Sequence, residues 1–302
     1  MKIDFYEMIE KAKNSGVKRM TIAFPHQESA VLSARKAKDD GMVEPILIGD
    51  ADKIKKNAED AGVDISDIEV IDIKDDEKAS DKTVELVANG QADFLMKGLI
   101  DTSIILKAYL KPEYKMKTDK LMSHVALFNP GSYYKMLIVT DASMNIAPNL
   151  DQKRQIVQNA IDVAKKFGIE QPKVAAVAAI EKVNPKMIET VEARELQLMS
   201  EKGIIKDGIV AGPLALDNAI FEKAAKIKNI EHPVAGHADI IMLPNIQIGN
   251  ILYKAFAFCA NDKHAGVIVG GKKPIVLTSR SDDEHSKYNS IAFAKFLLEK
   301  GE

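Results

Sequence analysis

Short β-branched runs alternate with longer amphipathic, charged segments along the whole chain. This alternation is typical of parallel strands joined by crossover helices. Four strands are predicted in the early part, each followed by a helical stretch: TIAF (21–24), PILIG (45–49), EVIDI (69–73) and FLMKG (94–98). The pattern therefore predicts an α/β fold with mainly parallel sheets.

The middle of the chain breaks the parallel rule once. MSHVALF (122–128) and KMLIVTD (135–141) flank an Asn-Pro-Gly turn signal, which predicts an antiparallel hairpin added to the first sheet. A strong helix follows, with Asp151 early and Gly168 at its C-cap position. Five further runs predict a second sheet, followed by a closing helix from about Asp282: KVAAVAAI (173–180), GIVAG (208–212), ADIIMLP (238–244), AGVIVGG (265–271) and PIVLT (274–278).

Length and charge limit the kind of protein. A chain of 302 residues predicts about two domains, with a boundary near residue 145. The balance of 42 Lys+Arg against 44 Asp+Glu disfavours a nucleic-acid binder that depends on an overall positive field. The apolar runs are shorter than the ~18 residues of a spanning helix, and a single cysteine excludes an internal disulfide. We expect a cytoplasmic protein with neither a membrane nor a nucleic-acid partner.

The motifs of metal and nucleotide sites are missing from the sequence. The six histidines show no HxxxH or HExxH spacing, and no GxGxxG follows a strand. The glycine-rich run at 266–273 resembles a P-loop, but Pro274 and a β-branched run follow it, which favours a turn between two strands. Cys259 lies among apolar residues, so we interpret it as a buried small hydrophobe. The absence of these motifs therefore disfavours a structural metal and a dinucleotide cofactor.

Four predicted strand ends carry glycine and polar residues, and ligands of α/β sheets bind at such ends. In LTSRSDDEHS (277–286), Ser279 and Arg280 lie directly between a strand and a helix. An arginine fork there suits a phosphate group, although a helix cap with a surface ion pair is the alternative. The other three ends are LMKGLIDTS (95–103), VAGPLALDNA (210–219) and LPNIQIGNILYKA (243–255).

Four segments together resemble the phosphate acetyl/butyryltransferase family, and most closely its phosphate butyryltransferase branch: ADIIMLPNIQIGNILYKAF (238–256), DGIVAGPLALDNAI (207–220), PIVLTSR (274–280) and TDASMNIAPNLDQK (140–153). The resemblance implies two three-layer α/β domains with a cleft between them, an architecture similar to that of isocitrate and isopropylmalate dehydrogenases. It also implies that the closing helix returns to the first domain. The domains would then be 1–145 plus 280–302, and 146–279.

The resemblance implies a reversible reaction in which an acyl-CoA thioester and inorganic phosphate give an acyl phosphate and CoA, without a cofactor. Resemblance to the butyryl branch favours butyryl-CoA over acetyl-CoA. A metal-dependent hydroxy-acid dehydrogenase of similar fold is an alternative, but its group of aspartates is not found in the sequence. A binding or regulatory module without catalytic activity is another alternative. We expect a homo-oligomer, and the apolar helix NILYKAFAFC serves the core or a subunit interface, with the core favoured.

The resemblance also suggests catalytic residues. Arg280 is assigned to the phosphate or to the developing negative charge, and Ser279 to a hydrogen bond that orients the carbonyl or the sulfur. The acetyl branch has a carboxylate base six residues after the motif arginine, where this chain has Ser286. Asp282, Asp283 and Glu284 are nearby candidates for the base, and Asp283 is chosen by proximity, with helix capping as its alternative role. A further alternative is that no single base is needed, because Arg280 and a helix terminus lower the pKa of the thiol.

The remaining candidates are substrate-binding residues. Lys107 replaces an arginine of the acetyl branch and either neutralises phosphate or lies on a solvated helix face. Ser123 matches a family serine near the substrate or is a structural hydroxyl. Gly249 either allows another group to approach its backbone closely in the cleft or only starts a helix. The others assigned to the substrate site are Asn245, Asn250 and Gly212.

Overall fold

The structure is a computed structural model that describes residues 4–299. Up to residue 120 the elements are α1 (Phe5–Asn14), β1 (Lys18–Ala23), α2 (Glu28–Asp39), β2 (Val43–Gly49), α3 (Ala51–Asp60), β3 (Glu69–Asp72), α4 (Asp76–Ala88), β4 (Phe94–Lys97), α5 (Thr102–Tyr109) and a 3₁₀ turn (Pro112–Tyr114). Next come β5 (Ser123–Asn129), β6 (Leu137–Thr140), α6 (Leu150–Lys166), β7 (Lys173–Val177), α7 (Ile188–Glu201), β8 (Ile209–Leu214), α8 (Leu216–Ile220), α9 (Glu222–Ile227), β9 (Ile240–Met242), α10 (Ile246–Lys254) and a π-helical turn (Ala255–Cys259). The last elements are β10 (Lys263–Val269), β11 (Ile275–Val276) and α11 (Glu284–Leu298).

The described residues form two compact units. The terminal unit comprises residues 6–120 and 265–299, and the central unit comprises residues 121–264 with residues 4–5. These bounds differ from the expected 145 and 279, and the assignment of folding domains stays a prediction. In the terminal unit α11 packs on α2, so the closing helix lies with the early part of the chain.

The terminal unit has the strand order β3-β2-β1-β4-β11-β10. All neighbours are parallel except β10, which is antiparallel to β11. The two-residue strand β11 pairs Val276 with Met96 of β4, and Ala23 at the end of β1 pairs with Lys97. The carboxyl ends of β1, β4 and β11 therefore lie side by side at one edge.

The central unit has the strand order β5-β6-β9-β7-β8. The predicted hairpin is confirmed, because β5 and β6 are antiparallel, and the remaining neighbours are parallel. Its core is a cluster around Phe128, Val139, Ile241 and Tyr253, which are all buried. The mainly parallel α/β class predicted from the alternation is thus confirmed in both units.

Two expectations about sheet membership were wrong. Strands β10 and β11 were both expected in the second sheet, but they lie in the terminal unit, where β11 pairs with β4 and β10 pairs with β11. The physical reason is that a β-branched run identifies a strand, whereas its partner is decided by long-range packing.

Local signals were more reliable. The glycine-rich run is a turn between antiparallel strands, as expected, and a Cβ on Gly271 would lie 2.4 Å from the hydroxyl of Tyr109. Helix α6 begins with a capping box of Asn149 and Gln152, and Gly168 follows it with a φ of +73°. Within residues 4–299 no helix is long and apolar enough to cross a membrane.

Candidate active site

Polar side chains gather where β1, β4 and β11 end in the terminal unit. Helices α2, α5 and α11 begin at this edge, directly after those strands. The N-cap side chains of α2 and α5 accept no hydrogen bond from their helices, so these N-termini keep backbone N–H groups for other acceptors. Helix N-termini favour anions because N–H groups and the positive end of the helix dipole point outward. We call this place the oxyanion edge, defined by Lys97, Asp101, Ser279, Arg280 and Asp282.

A tight turn holds Ser279 and Arg280. The backbone N–H of Ser279 donates to Oδ2 of Asp282 at 2.8 Å, and the N–H of Asp282 donates to the carbonyl of Ser279 at 3.2 Å. The Ser279 hydroxyl lies 2.9 Å from the hydroxyl of Ser281. Because Asp282 is only 3% exposed, its carboxylate fixes the turn rather than meeting solvent.

Arg280 is fixed from both sides. Its guanidinium donates to the carboxylate of Asp101, the N-cap residue of α5, and both side chains are more than half exposed. Its carbonyl accepts from Nε2 of Gln27, the N-cap residue of α2, at 3.2 Å. Arg280 is thus tied to the N-terminus of α5 through its side chain and to that of α2 through its backbone.

Lys97 is a buried cation at the same edge. It is the last residue of β4, is 5% exposed, and donates from Nζ to the carbonyl oxygens of Gly98 and Ile100, at 3.0 Å each. Sequence reasoning did not single it out. A lysine that ends an apolar strand just before a glycine was the available signal.

The environment of Lys97 disfavours its charge. The pKa of Lys97 is lowered to about 8, mainly by burial and also by the positive charges of Arg280 and Lys287. The negative charge of Asp101 acts in the opposite direction and raises it. Burial also lowers the pKa of Lys287, whose ammonium donates to the carbonyl of Asp282. Three cations therefore meet at the oxyanion edge.

Gly98 sets the spacing of β1 and β4 at this edge. Its N–H donates to the carbonyl of Ala23 at 2.8 Å, and a Cβ there would lie 2.1 Å from the carbonyl oxygen of Phe24. Backbone atoms cannot move aside as a flexible side chain can, so only glycine fits.

Two other predicted residues belong to the terminal unit. Asp283 is the N-cap of α11, and its Oδ1 accepts from the N–H of Ser286 at 2.8 Å. Lys107, on α5, is exposed and forms an ion pair of 3.1 Å with Glu77. The capping alternative for Asp283 and the solvated alternative for Lys107 describe these contacts, while their roles toward substrate stay predictions.

Asn245 and Gly249 belong to the central unit, where β6 and β9 end. The Asn245 side chain caps α10 by accepting from the N–H of Ile248 at 3.1 Å. A Cβ on Gly249 would lie 2.5 Å from the carbonyl oxygen of Asp141. Gly249 therefore permits close approach inside the helix and does not start it.

Ser123 and Gly212 are both buried in the central unit. Ser123 accepts from Nδ2 of Asn159 at 2.9 Å, a bond that ties β5 to α6. Gly212 lies within β8, and a Cβ there would lie 2.6 Å from the carbonyl oxygen of Ala193 on α7. Asn250, by contrast, is an exposed residue of α10. A substrate role for these three residues stays a prediction.

Asp141 organises the loop after β6 and was not predicted. It is 2% exposed, and its carboxylate accepts from the backbone N–H groups of Ser143 (3.0 Å) and Met144 (2.9 Å) and from Nδ2 of Asn145 (2.6 Å). A carboxylate bonded by several N–H groups stabilises such a loop strongly. Its signal in the sequence was an aspartate directly after an apolar strand.

A small open pocket lies in the central unit between α6, α7 and the ends of β7 and β9. Its wall includes the ion pair of Lys153 and Glu192, whose side chains are 6% and 19% exposed. None of the predicted site residues lines it.

The interpretation of Cys259 as a buried residue was wrong. It is exposed at the end of the π-helical turn, because that turn buries Ala257 and turns Phe258 and Cys259 outward. Among residues 4–299, no group of three or more His, Cys, Asp or Glu side chains could hold a metal ion.

A family model described as "Phosphate acetyl/butaryl transferase" matches residues 4–86 and 78–295. The chain is 43% identical over 293 residues to the phosphate butyryltransferase of Clostridium acetobutylicum, covering 97% of each protein. It is 42% identical over 288 residues to the phosphate acetyltransferase of Thermotoga maritima, covering 95% of this chain and 97% of that protein. A crystal structure of a branched-chain phosphotransacylase from Enterococcus faecalis V583 aligns with a TM-score of 0.82 at 35% identity, covering 93% of this chain and 99% of that one.

The protein is an α/β protein with cationic side chains and helix N-termini at the carboxyl ends of its strands β1, β4 and β11. With the matches in sequence and structure, the chain belongs to the phosphate acetyl/butyryl transferase family. The resemblance inferred from four short segments is therefore confirmed over nearly the whole length.

Proposed function

We propose that this protein is a phosphate acyltransferase that interconverts a short-chain acyl-CoA and inorganic phosphate with an acyl phosphate and CoA. The observation that carries the proposal is the oxyanion edge, where Arg280 and Lys97 meet the N-termini of α2 and α5. Such an edge suits a small multiply charged oxyanion. The family and its butyryl and acetyl relatives supply the reaction class.

In the proposed mechanism a phosphate oxygen attacks the thioester carbonyl. The carbonyl oxygen becomes negative in a tetrahedral species, which collapses with cleavage of the C–S bond. The electron pair leaves with the sulfur, and the thiolate takes up a proton from solvent or from an acid. Arg280 holds the phosphate or the developing charge, and the Ser279 hydroxyl orients the carbonyl or the sulfur. Atoms and charges balance without a resident cofactor.

The reverse direction needs a thiolate, because CoA attacks through its sulfur. The reference pKa of a thiol is about 8.5, so positive charge near the sulfur increases the thiolate fraction at neutral pH. The cations of the oxyanion edge supply such a field. Asp283 is the proposed base, and its capping bond through Oδ1 fixes the orientation of the carboxylate.

The other predicted residues take substrate-binding roles in this proposal. Lys107 would exchange its exposed ion pair with Glu77 for a phosphate group. In the central unit, the helix held by Asn245 and Gly249 would present Asn250 to CoA, and Ser123 and Gly212 would shape the surface beneath. The physical support is that the close contact of Gly249 with Asp141 fixes the start of α10 on the sheet.

Butyryl is the proposed acyl group, with acetyl as the alternative. Thiol release should be followed with a disulfide reagent, from butyryl-CoA and from acetyl-CoA, with and without phosphate. We expect release that depends on phosphate and a higher kcat/KM for butyryl-CoA. Release without phosphate, or no release, would refute the proposed reaction. A higher kcat/KM for acetyl-CoA would keep the reaction and replace the acyl group.

We further propose that the protein is a homo-oligomer that acts in the reducing cytoplasm, where Cys259 stays a free thiol. The expected core role of the apolar helix is wrong in part, because α10 and the following turn expose Ile248, Ile251 and Phe258 by 45%, 70% and 47%. These side chains recur every three to seven residues and form one apolar face, which a second copy of the chain would cover.

Light scattering of the purified protein tests the assembly. We expect Ile251→Lys to convert the oligomer into a monomer, whereas Ile227→Lys, at an equally exposed isoleucine of α9, leaves it unchanged. A monomeric wild type would refute the assembly and leave the proposed reaction untouched.

A further inference from the structure

Lys97 lies at the oxyanion edge, and neither the Ser279–Arg280 motif nor the family resemblance assigns it a role. Its ammonium is buried, yet within residues 4–299 no carboxylate bonds to it, and its two hydrogen bonds go to the carbonyls of Gly98 and Ile100. A buried ammonium is costly unless its charge is compensated. An oxyanion at this edge would provide that compensation.

The bonds of Lys97 connect it to Arg280. The carbonyls that it binds belong to the turn from Gly98 to Ile100, and the next residue is Asp101. Asp101 in turn pairs with the guanidinium of Arg280. Lys97 therefore stabilises the turn that leads into Asp101, the residue that pairs with Arg280.

Charge adds a second link. The groups that interact electrostatically with Lys97 are Arg280 from the loop before α11, Lys287 from α11 itself, and Asp101 from the start of α5. Two are cations, so the local field disfavours the charged lysine until an anion enters. An anion bound to Arg280 would favour the protonated form of Lys97, and protonated Lys97 would strengthen anion binding equally.

We propose that Lys97 is a positioning residue of the phosphate site, which fixes the Gly98–Ile100 turn that leads into Asp101, the partner of Arg280, and adds positive charge near the anion that Arg280 binds. The proposal rests on the proposed acyl transfer to phosphate. Arg280 is the group that touches the reacting oxyanion, and Lys97 acts through the turn and through its charge.

The kinetic test is Lys97→Met, which keeps the volume and removes the ammonium. Charge that stabilises bound phosphate in the ground and transition states alike appears in KM. We expect the KM for phosphate to rise about tenfold and kcat to fall less than about threefold, with the KM for acyl-CoA unchanged. Lys295→Met is the matched control, because Lys295 is likewise a buried lysine of the terminal unit but lies near Glu299 and Lys18, the first residue of β1. An unchanged KM for phosphate would overturn the proposal.

A binding measurement separates this proposal from the reaction itself. Sulfate does not titrate near neutral pH, so calorimetry of sulfate binding in two buffers of different ionisation enthalpy reports protons taken up by the protein. Since the pKa of Lys97 is about 8, the wild type should take up protons at pH 8 and almost none at pH 6.5. Lys97→Met should take up none at either pH, and Lys295→Met should behave as the wild type.

The wild-type measurement decides the matter even if Lys97→Met does not fold. Sulfate binding without proton uptake at pH 8, or uptake that persists in Lys97→Met, would overturn the role of Lys97. Normal proton uptake in a protein that releases no thiol from acyl-CoA would refute the proposed reaction and retain the anion site.

Discussion

Replacing Arg280 should separate stability from activity. The Arg280–Asp101 pair is solvent-exposed, with side chains 59% and 67% accessible. Exposed ion pairs contribute about 0.2–1 kcal/mol to stability, because solvent screens the charges and the side chains lose entropy. Arg280→Ala should therefore lower the free energy of unfolding by less than about 1 kcal/mol.

The loss of activity should be much larger. Removing one donor to a developing oxyanion costs about 10²–10³ in kcat, equivalent to about 2.7–4 kcal/mol. Arg280→Lys should fall between the wild type and the alanine variant, since lysine keeps the charge and loses the fork. The control is Arg19→Ala, which breaks a similarly exposed pair with Glu69 at the other end of β1.

Asp101 extends the test to a double-mutant cycle. If Asp101 acts by placing Arg280, Asp101→Ala alone should reduce kcat/KM, and it should add almost nothing once Arg280 is alanine. Thiol release gives the activities, and urea unfolding gives the stabilities. Two results would refute the reasoning: an Arg280→Ala variant that keeps most of its kcat/KM, or losses that multiply in the double variant.

Three further substitutions test the terminal unit. Gly98→Ala would force a Cβ to 2.1 Å from the carbonyl oxygen of Phe24, so urea unfolding should show a loss of about 1–3 kcal/mol or more, together with lost thiol release; wild-type stability would contradict the steric account. Asp283→Asn keeps a side-chain oxygen that can accept the N–H of Ser286, so stability should be unchanged. The proposed base role predicts about a hundredfold lower turnover, whereas full activity would show that Asp283 is only a helix cap. Tyr109→Phe removes a buried hydroxyl that accepts one hydrogen bond and donates another, so urea unfolding should show a loss of roughly 1–3 kcal/mol, and a variant as stable as the wild type would show that these bonds are dispensable.

Strand positions could be predicted from the sequence because their signal is local. FLMKG becomes β4 (Phe94–Lys97) and EVIDI becomes β3 (Glu69–Asp72), within a residue of the expected bounds. Sheet membership could not be predicted in the same way. PIVLT contains only the two-residue strand β11, and its parallel pairing with β4 joins residues about 180 positions apart through contacts that no local pattern encodes.

The same distinction between local and long-range signals applies to the candidate site. Ser279 and Arg280 could be found because a polar pair follows an apolar run directly before a helix. Lys97 and Asp101 were passed over because their meaning depends on Arg280, which lies 179 residues from Asp101. A buried lysine next to an arginine becomes visible only when β11 has been placed beside β4.

Helix α5 connects these observations. Its N-cap residue, Asp101, holds the guanidinium of Arg280, and its last residue, Tyr109, donates to the carbonyl of Lys273 at 2.7 Å in the turn before β11. One helix therefore contacts the chain on both sides of a strand that is only two residues long. Because so short a strand has few ladder bonds of its own, we infer that the contacts at the two ends of α5 help to hold β11 in register with β4, and with it Arg280 near Lys97.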